Sequence, residues 1–227
     1  MSVEQNDPTA SGFLPPKGAT RLSGNETEML CLKAARGAGM PWGLAEEAGF
    51  AARWLQARGI DGPGALLGHL DWLAGRDASD LSPRSTSDLT PRCDGPLCPI
   101  ATGATLSDVR QVPDGPLGPV ISPILLLPFL HSLARATGLS VRAVWQCGTV
   151  NIRPMGAISG DLADLIATER SSFELSLAES GPEPAPPTDA RPTADCLARL
   201  NDYAMNITVP ATQSSRVDAG AGTSDND

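Results

Sequence analysis

Aromatic residues are scarce in this chain, at 4% of 227 residues, while hydrophobic residues of all kinds make up 41%. A core must therefore be built mainly from Leu, Ala, Val and Ile. There are only two histidines, His69 and His131, and five cysteines, an odd number that closes no disulfide framework. Basic clusters are missing as well. The densest cationic stretches, Arg53/Arg58 and Arg135/Arg142, are broken by apolar residues, and the formal net charge is −9. A surface of that sign repels nucleic acid and anionic lipid, so neither is expected as a partner. The longest apolar run, Val120 to Leu130, contains two prolines and falls far short of the ~20 residues a membrane helix needs. The opening MSVEQNDPTASG has no basic segment followed by an apolar one, so no signal peptide is read. The expected location is the cytoplasm, with the cysteines as thiols. No motif in the chain fixes a chemistry.

Glycine and proline, by contrast, are plentiful: 23 and 21 residues, about a fifth of the chain, which predicts long irregular connections. Residues 1–20 show no apolar period and read as a mobile leader. The most informative stretch is Ser23 to Gly59. Ser23 stands three residues before Glu26, the spacing of a capping box. Leu30, Ala34 and Ala38 then recur every four residues as a buried stripe, and Gly37 and Gly39 end the helix. Pro41 suits the first turn of a second helix. Leu44, Ala48, Ala51, Ala52 and Leu55 form its inner face, and Gly59 stops it. The pair reads as a helical hairpin.

Asp61-Gly62-Pro63 opens a third helix carrying Leu66, Leu67, Leu70 and Leu73, closed by Gly75. Residues 76–96 are polar and rich in turn formers, and read as an exposed loop. Short extended pieces are expected at 97–101 and 109–112, and a turn at Asp114-Gly115-Pro116. A helix over 123–137 is predicted to break at Pro128. Val141 to Cys147 alternates, with Val141, Ala143, Trp145 and Cys147 inward, and is the clearest strand. Thr149–Arg153 continues it or pairs with it. A short helix follows at 161–168, a strand at 172–178, a Pro-rich linker at 181–192 and a last helix at 195–206. The fold class is α+β: an N-terminal helical hairpin plus a small mixed sheet of about four strands packed on helices, one domain over 21–213, then a Gly-rich tail over 214–227.

The start LSGNETEML, the helix end KAARGAG and the segment PWGLAEEAG resemble the opening of a bacterial, mostly proteobacterial, family known as a domain of unknown function. Ser215-Arg216 followed by GAG and a closing DND is similar to that family's ending. The resemblance implies a one-domain cytosolic protein and distinctive sequence in the tail. It brings no activity with it.

The site candidates are weighed against plainer roles. In the tail, Gly220 and Gly222 allow backbone amides to approach a ligand closely, and Arg216 suits a carboxylate or phosphate. The docked reading brings this tail back to the Pro41-Trp42-Gly43 elbow. The plain one is a frayed polar terminus. The glycines are not followed by Lys-Ser/Thr, so no phosphate loop is read. Cys93 and Cys98 form one CDGPLC pair without further ligands, so no metal site and no cofactor is expected. A catalytic Cys98 or Cys147 would need a base beside it, and Cys147 reads instead as a buried thiol. Glu46 and Glu47 point about 100° apart on a helix and read as charges in its first turn, favoured by the helix dipole. Trp54 and Trp145 fit core positions, whereas Trp42 is a contact candidate.

These features fit two functions. The first is a non-catalytic small-molecule-binding or accessory protein of a metabolic pathway, serving a partner protein or forming a homodimer. The second is a small-molecule enzyme acting on an anionic metabolite, with its site between the 41–47 elbow (Trp42, Glu46), the Cys98 loop and the tail (Arg216, Gly220, Gly222).

Overall fold

The computed structural model describes residues 22–179 and 190–207. The leader, most of the Pro-rich linker and the Gly-rich tail lie outside these residues. The fold is α+β, as expected: seven α-helices and a five-stranded sheet among the described residues.

Helix α1 (Gly24–Gly37) begins with the expected capping box. Ser23 Oγ accepts from the Glu26 amide at 3.3 Å, and Glu26 accepts from the Ser23 amide at 2.8 Å. The buried face is Thr27, Cys31, Ala34 and Ala35, rotated from the Leu30–Ala34–Ala38 stripe read in the sequence. Helix α2 (Trp42–Gln56) lies antiparallel to it and buries Ala45, Ala48, Ala51, Ala52 and Leu55 completely. These small residues let the two backbones close together. At Gly49 they come so close that a Cβ would sit 2.6 Å from the Glu28 carbonyl of α1. Pro41 is the N-cap of α2 rather than its first residue.

Helix α3 (Gly62–Leu73) starts at Asp61, whose side chain caps the Gly64 amide at 2.9 Å. Its leucines, Leu66, Leu67, Leu70 and Leu73, all point into the core, as expected. The following loop is turn-rich and largely exposed, and it is pinned by buried Ala78 and Leu81.

Of the extended pieces expected at 97–101 and 109–112, residues 99–101 and Val109 belong instead to the two ends of one helix, α4 (Pro99–Val109); Leu97 makes an isolated bridge to Val120, Cys98 is extended, and left-handed Arg110 ends the helix before 111–112. Pro99 at its first turn opens the helix, and Ile100, Ala101 and Leu106 bury into the core. Strand β1 (Leu117–Ile121) was not foreseen, because Gly118-Pro119 interrupts its alternation. The expected break at Pro128 is present. A 3-10 turn over Pro123–Leu126 passes into α5 (Leu127–Thr137), with Pro128 in its first turn and Gly138 left-handed at its end.

The sheet runs β1-β5-β2-β3-β4, with β2 (Ser140–Trp145), β3 (Gly148–Ile152), β4 (Ile158–Gly160) and β5 (Arg170–Ala178). Every ladder is antiparallel, and the only parallel element among the described residues is a single Leu97–Val120 bridge, so the expected mixed sheet is corrected to an antiparallel one. Trp145 pairs with Gly148, which makes Gln146-Cys147 the hairpin turn. Cys147 is therefore exposed, not the inward thiol that alternation suggested, because the alternation ends one pair earlier. Helix α6 (Leu162–Ala167) lies between β4 and β5. The last helix, α7 (Ala194–Met205), buries Cys196, Leu200 and Ala204 against α1 and α3. It is tied down by Arg199 to Asp71 at 2.6 Å and by Tyr203 Oη donating to Asp71 at 3.1 Å.

Candidate functional site

A cleft of about 500 Å3 opens beside α3. One wall runs from just before that helix along its length, Ile60, Asp61, Gly64, Ala65, Gly68 and Trp72. The other is Ile121, Ser122 and Ile124, where β1 turns into the 3-10 segment, together with Ile166 to Glu169 at the end of α6. The volume lies within the range of small-molecule pockets. Its helix wall is shallow because Gly64 and Gly68 present no side chain, and a Cβ at Gly68 would meet only open space.

Ser122 stands at the lip with φ 45 and ψ 55, left-handed for a residue that carries a Cβ. That conformation is sparsely populated and costs about 1–3 kcal/mol unless its surroundings hold it. Here the Ser122 amide donates to the Glu169 carbonyl at 2.8 Å, so the strained residue ties together the two segments of that wall. The Trp72 ring stacks with the His69 ring at 6.3 Å between centroids, and the Arg76 guanidinium lies 4.4 Å from the Trp72 ring centre. Arg76 also donates to the Trp72 carbonyl, which tethers it.

Behind this wall is a pair the sequence could not bring together. His69 Nε2 stands 3.5 Å from Cys98 Sγ, and neither residue has any exposed surface. Cys98 is the N-cap residue of α4. A thiol at a helix start beside an imidazole is the arrangement of an activated nucleophile. Burial decides otherwise: it pushes the thiol up to about 11, and the Ala101 and Ile100 amides, which pull the other way, do not offset it. Burial also pulls His69 down to about 4. Both groups are neutral near pH 7. His69 Nδ1 and Thr102 Oγ1 are buried without hydrogen-bond partners among the described residues. A bare lone pair costs less than a bare N–H, which puts the His69 proton on Nε2, facing the sulfur.

The other site residues read from the sequence fall elsewhere. Trp42 is 57% exposed on the surface, with the Arg36 guanidinium 5.4 Å from its ring centre. Glu46 and Glu47 are the fifth and sixth residues of α2, beyond its first turn, so dipole stabilisation does not explain them. They line a shallow hollow with Glu28, Phe50, Ser107 and Ser132. Burial, then the charges of Asp108 and Glu46, raise the Glu47 carboxyl. Ser107 and Asp108 are at the C-terminal end of α4, whereas Cys98 is at its start. Helical rise separates those ends by about 15 Å. The elbow carboxylates and Cys98 therefore do not share one pocket. Arg216, Gly220 and Gly222 lie outside the described residues.

A further cleft of about 390 Å3 lies between residues 86–90, α4 and residues 111–116. Its polar side chains are largely engaged within their own loop: Asp88 Oδ1 accepts from both the amide and the hydroxyl of Thr90, and Ser85 Oγ takes the Asp88 amide. Among the described residues no group of three or more His, Cys, Asp and Glu side chains could hold a metal ion. No helix there is long and apolar enough to cross a membrane.

Residues 22–93 match the family described as "Protein of unknown function (DUF3726)". The match takes in α1, α2 and α3 and the loop after them. It includes the helical wall of the 500 Å3 cleft but neither Cys98 nor the sheet. No curated protein and no solved structure matches the chain.

Proposed function

We propose that this chain is a non-catalytic small-molecule-binding protein, an accessory component of a metabolic pathway in the cytoplasm, and that its ligand sits in the cleft beside α3. The carrying observation is the cleft itself. It combines isoleucine walls, a helix surface opened by Gly64 and Gly68 beside Ala65 and Trp72, and a lip held by a backbone conformation that a serine ordinarily avoids. Glycine in the middle of a helix costs about 0.5–1 kcal/mol relative to alanine. Gly68 has room for a Cβ, so packing does not explain it, and keeping the cleft open does.

The neutral fluorophore N-phenyl-1-naphthylamine tests this reading. It should bind wild type saturably at one site. A Gly68→Phe variant, which fills the cleft from an open position, should unfold at no lower a urea concentration and lose that binding. Equal binding in both proteins would remove the cleft from consideration.

The contact between His69 and Cys98 supports a second reading, that of an enzyme with a thiol nucleophile. It is the weaker of the two because both groups are fully buried and neutral. Iodoacetamide at neutral pH distinguishes them. On the binding reading Cys98 stays unmodified in the native protein while exposed Cys147 is alkylated. Rapid native-state labelling of Cys98 would favour the enzyme.

A further inference from the structure

We infer that the ligand of this cleft is a small amphiphilic cation, an aliphatic or aromatic body carrying an ammonium group. The inference rests on the binding reading above and adds the ligand's chemistry.

The walls set the apolar part. Ile60, Ile121, Ile124 and Ile166 face a space whose helix side is Gly64, Ala65, Gly68 and Trp72, so a flat or linear hydrocarbon body finds apolar contact. Charge sets the other end. Among the described residues of the lining, the charged side chains are Asp61 and Glu169, both carboxylates. Arg76 is not part of the lining and is tethered over Trp72.

A helix start ordinarily favours anions, because its first amides are free donors. At α3 they are already engaged. Gly62 N–H donates to the Ile60 carbonyl at 2.7 Å, Pro63 has no N–H, and Gly64 N–H donates to Asp61 Oδ1 at 2.9 Å. An anion here would meet two carboxylates and no free amide. A neutral alcohol would gain only the apolar contact. An ammonium gains the apolar contact and an ion pair at a lip where the Asp61 carboxylate is held by its capping bond and the main chain of Glu169 by the Ser122 amide.

Displacement of bound N-phenyl-1-naphthylamine by octylammonium, octanol and octanoate tests the inference with one alkyl body and three heads. Octylammonium should compete about two- to fivefold better than octanol, the range of a solvent-exposed ion pair, and octanoate should compete worst. Asp61→Asn keeps the cap, and Glu169→Gln keeps the lip. The double variant should bring octylammonium down to the level of octanol while leaving octanol unchanged. If octanol or octanoate competes as well as octylammonium in wild type, the cationic ligand is wrong although the cleft stands. If the fluorophore itself is not held, or is held equally by Gly68→Phe, the binding reading fails and this inference with it.

Discussion

The indole N–H of Trp54 donates to His131 Nδ1 at 2.9 Å, and His131 Nε2 lies 3.1 Å from the Pro154 carbonyl. A carbonyl only accepts, so Nε2 carries the proton and Nδ1 receives the indole. The imidazole thus links α2, α5 and the turn before β4. Arg58 adds to the same junction. Its guanidinium lies 3.7 Å from the Trp54 ring centre and its Nε donates to the Gly156 carbonyl at 2.8 Å. This second histidine is accordingly a structural joint. His131→Leu would leave a buried indole N–H and the Pro154 carbonyl without their partner. It should lower the free energy of unfolding by about 2–6 kcal/mol, at about 1–3 kcal/mol for each group left unpaired. His131→Gln offers one acceptor and one donor and should lose less than half as much. Urea unfolding of both variants checks the ordering, and a His131→Leu variant as stable as wild type would contradict it.

The His69–Cys98 pair gives the stability a pH window. Burial holds His69 near 4 against an ordinary 6.5, so between those values the unfolded chain binds a proton that the folded chain refuses. Stability therefore falls as pH drops from 6.5 toward 4, by on the order of 3 kcal/mol for this group. At the alkaline end the sign reverses. Cys98 is raised to about 11 from 9.0, so the unfolded thiol ionises first and stability falls as pH rises above 9. Buried Cys31 and Cys196 are raised as well, and they act in the same direction. Urea midpoints measured across this range should be highest between 6.5 and 9, and His69→Leu should flatten the acid side. An unchanged acid slope in that variant would mean that His69 is solvated.

These two predictions rest on contacts the sequence could not show, and the reason is distance along the chain. Ser23 with Glu26 at the start of α1 and Asp61 at the start of α3 are local devices, complete within four residues, and each stands where the sequence placed it. The hairpin of α1 and α2 follows from the same local rules. Helix α4 was misread because Leu97-Cys98-Pro99-Ile100 looks extended by composition, and what makes it helical is burial of Ile100 and Leu106 against the rest of the core. Strand β1 depends on β5, more than 45 residues away by the pairing of Leu117 with Phe173. Cys147 was placed inward because no Asn-Gly or similar signal marks the Gln146-Cys147 turn.

The cleft was less legible still. Its lining comes from three separate segments, 59–72, 121–124 and 166–169, and none carries a recognisable motif. One signal was present. Gly64 and Gly68 are four residues apart on a predicted helix, and Gly68 is too far from either end to be a cap. An interior helix glycine asks for a reason, and on the same face as Gly64 it points to close approach or open space along that face.

Which of those two reasons applies at a given glycine is measurable with a single methyl group. Gly37 ends α1 under the Tyr203 main chain of α7, where a Cβ would overlap the Tyr203 carbonyl. Asn206 Nδ2 also donates to the Gly37 carbonyl at 3.0 Å, so the contact is a docking point between helices. Gly37→Ala must push α7 outward, and it should destabilise the fold by about 1–3 kcal/mol, the usual range for an overpacked contact. Gly68→Ala meets nothing, gains helix propensity and should stabilise the fold by about 0.5–1 kcal/mol. The same added methyl narrows the cleft, so Gly68→Ala should bind N-phenyl-1-naphthylamine more weakly while unfolding at higher urea. A stability gain together with a binding loss is the mark of a glycine kept for function. If Gly68→Ala raised stability and left binding unchanged, the glycine face of α3 would not be part of the site.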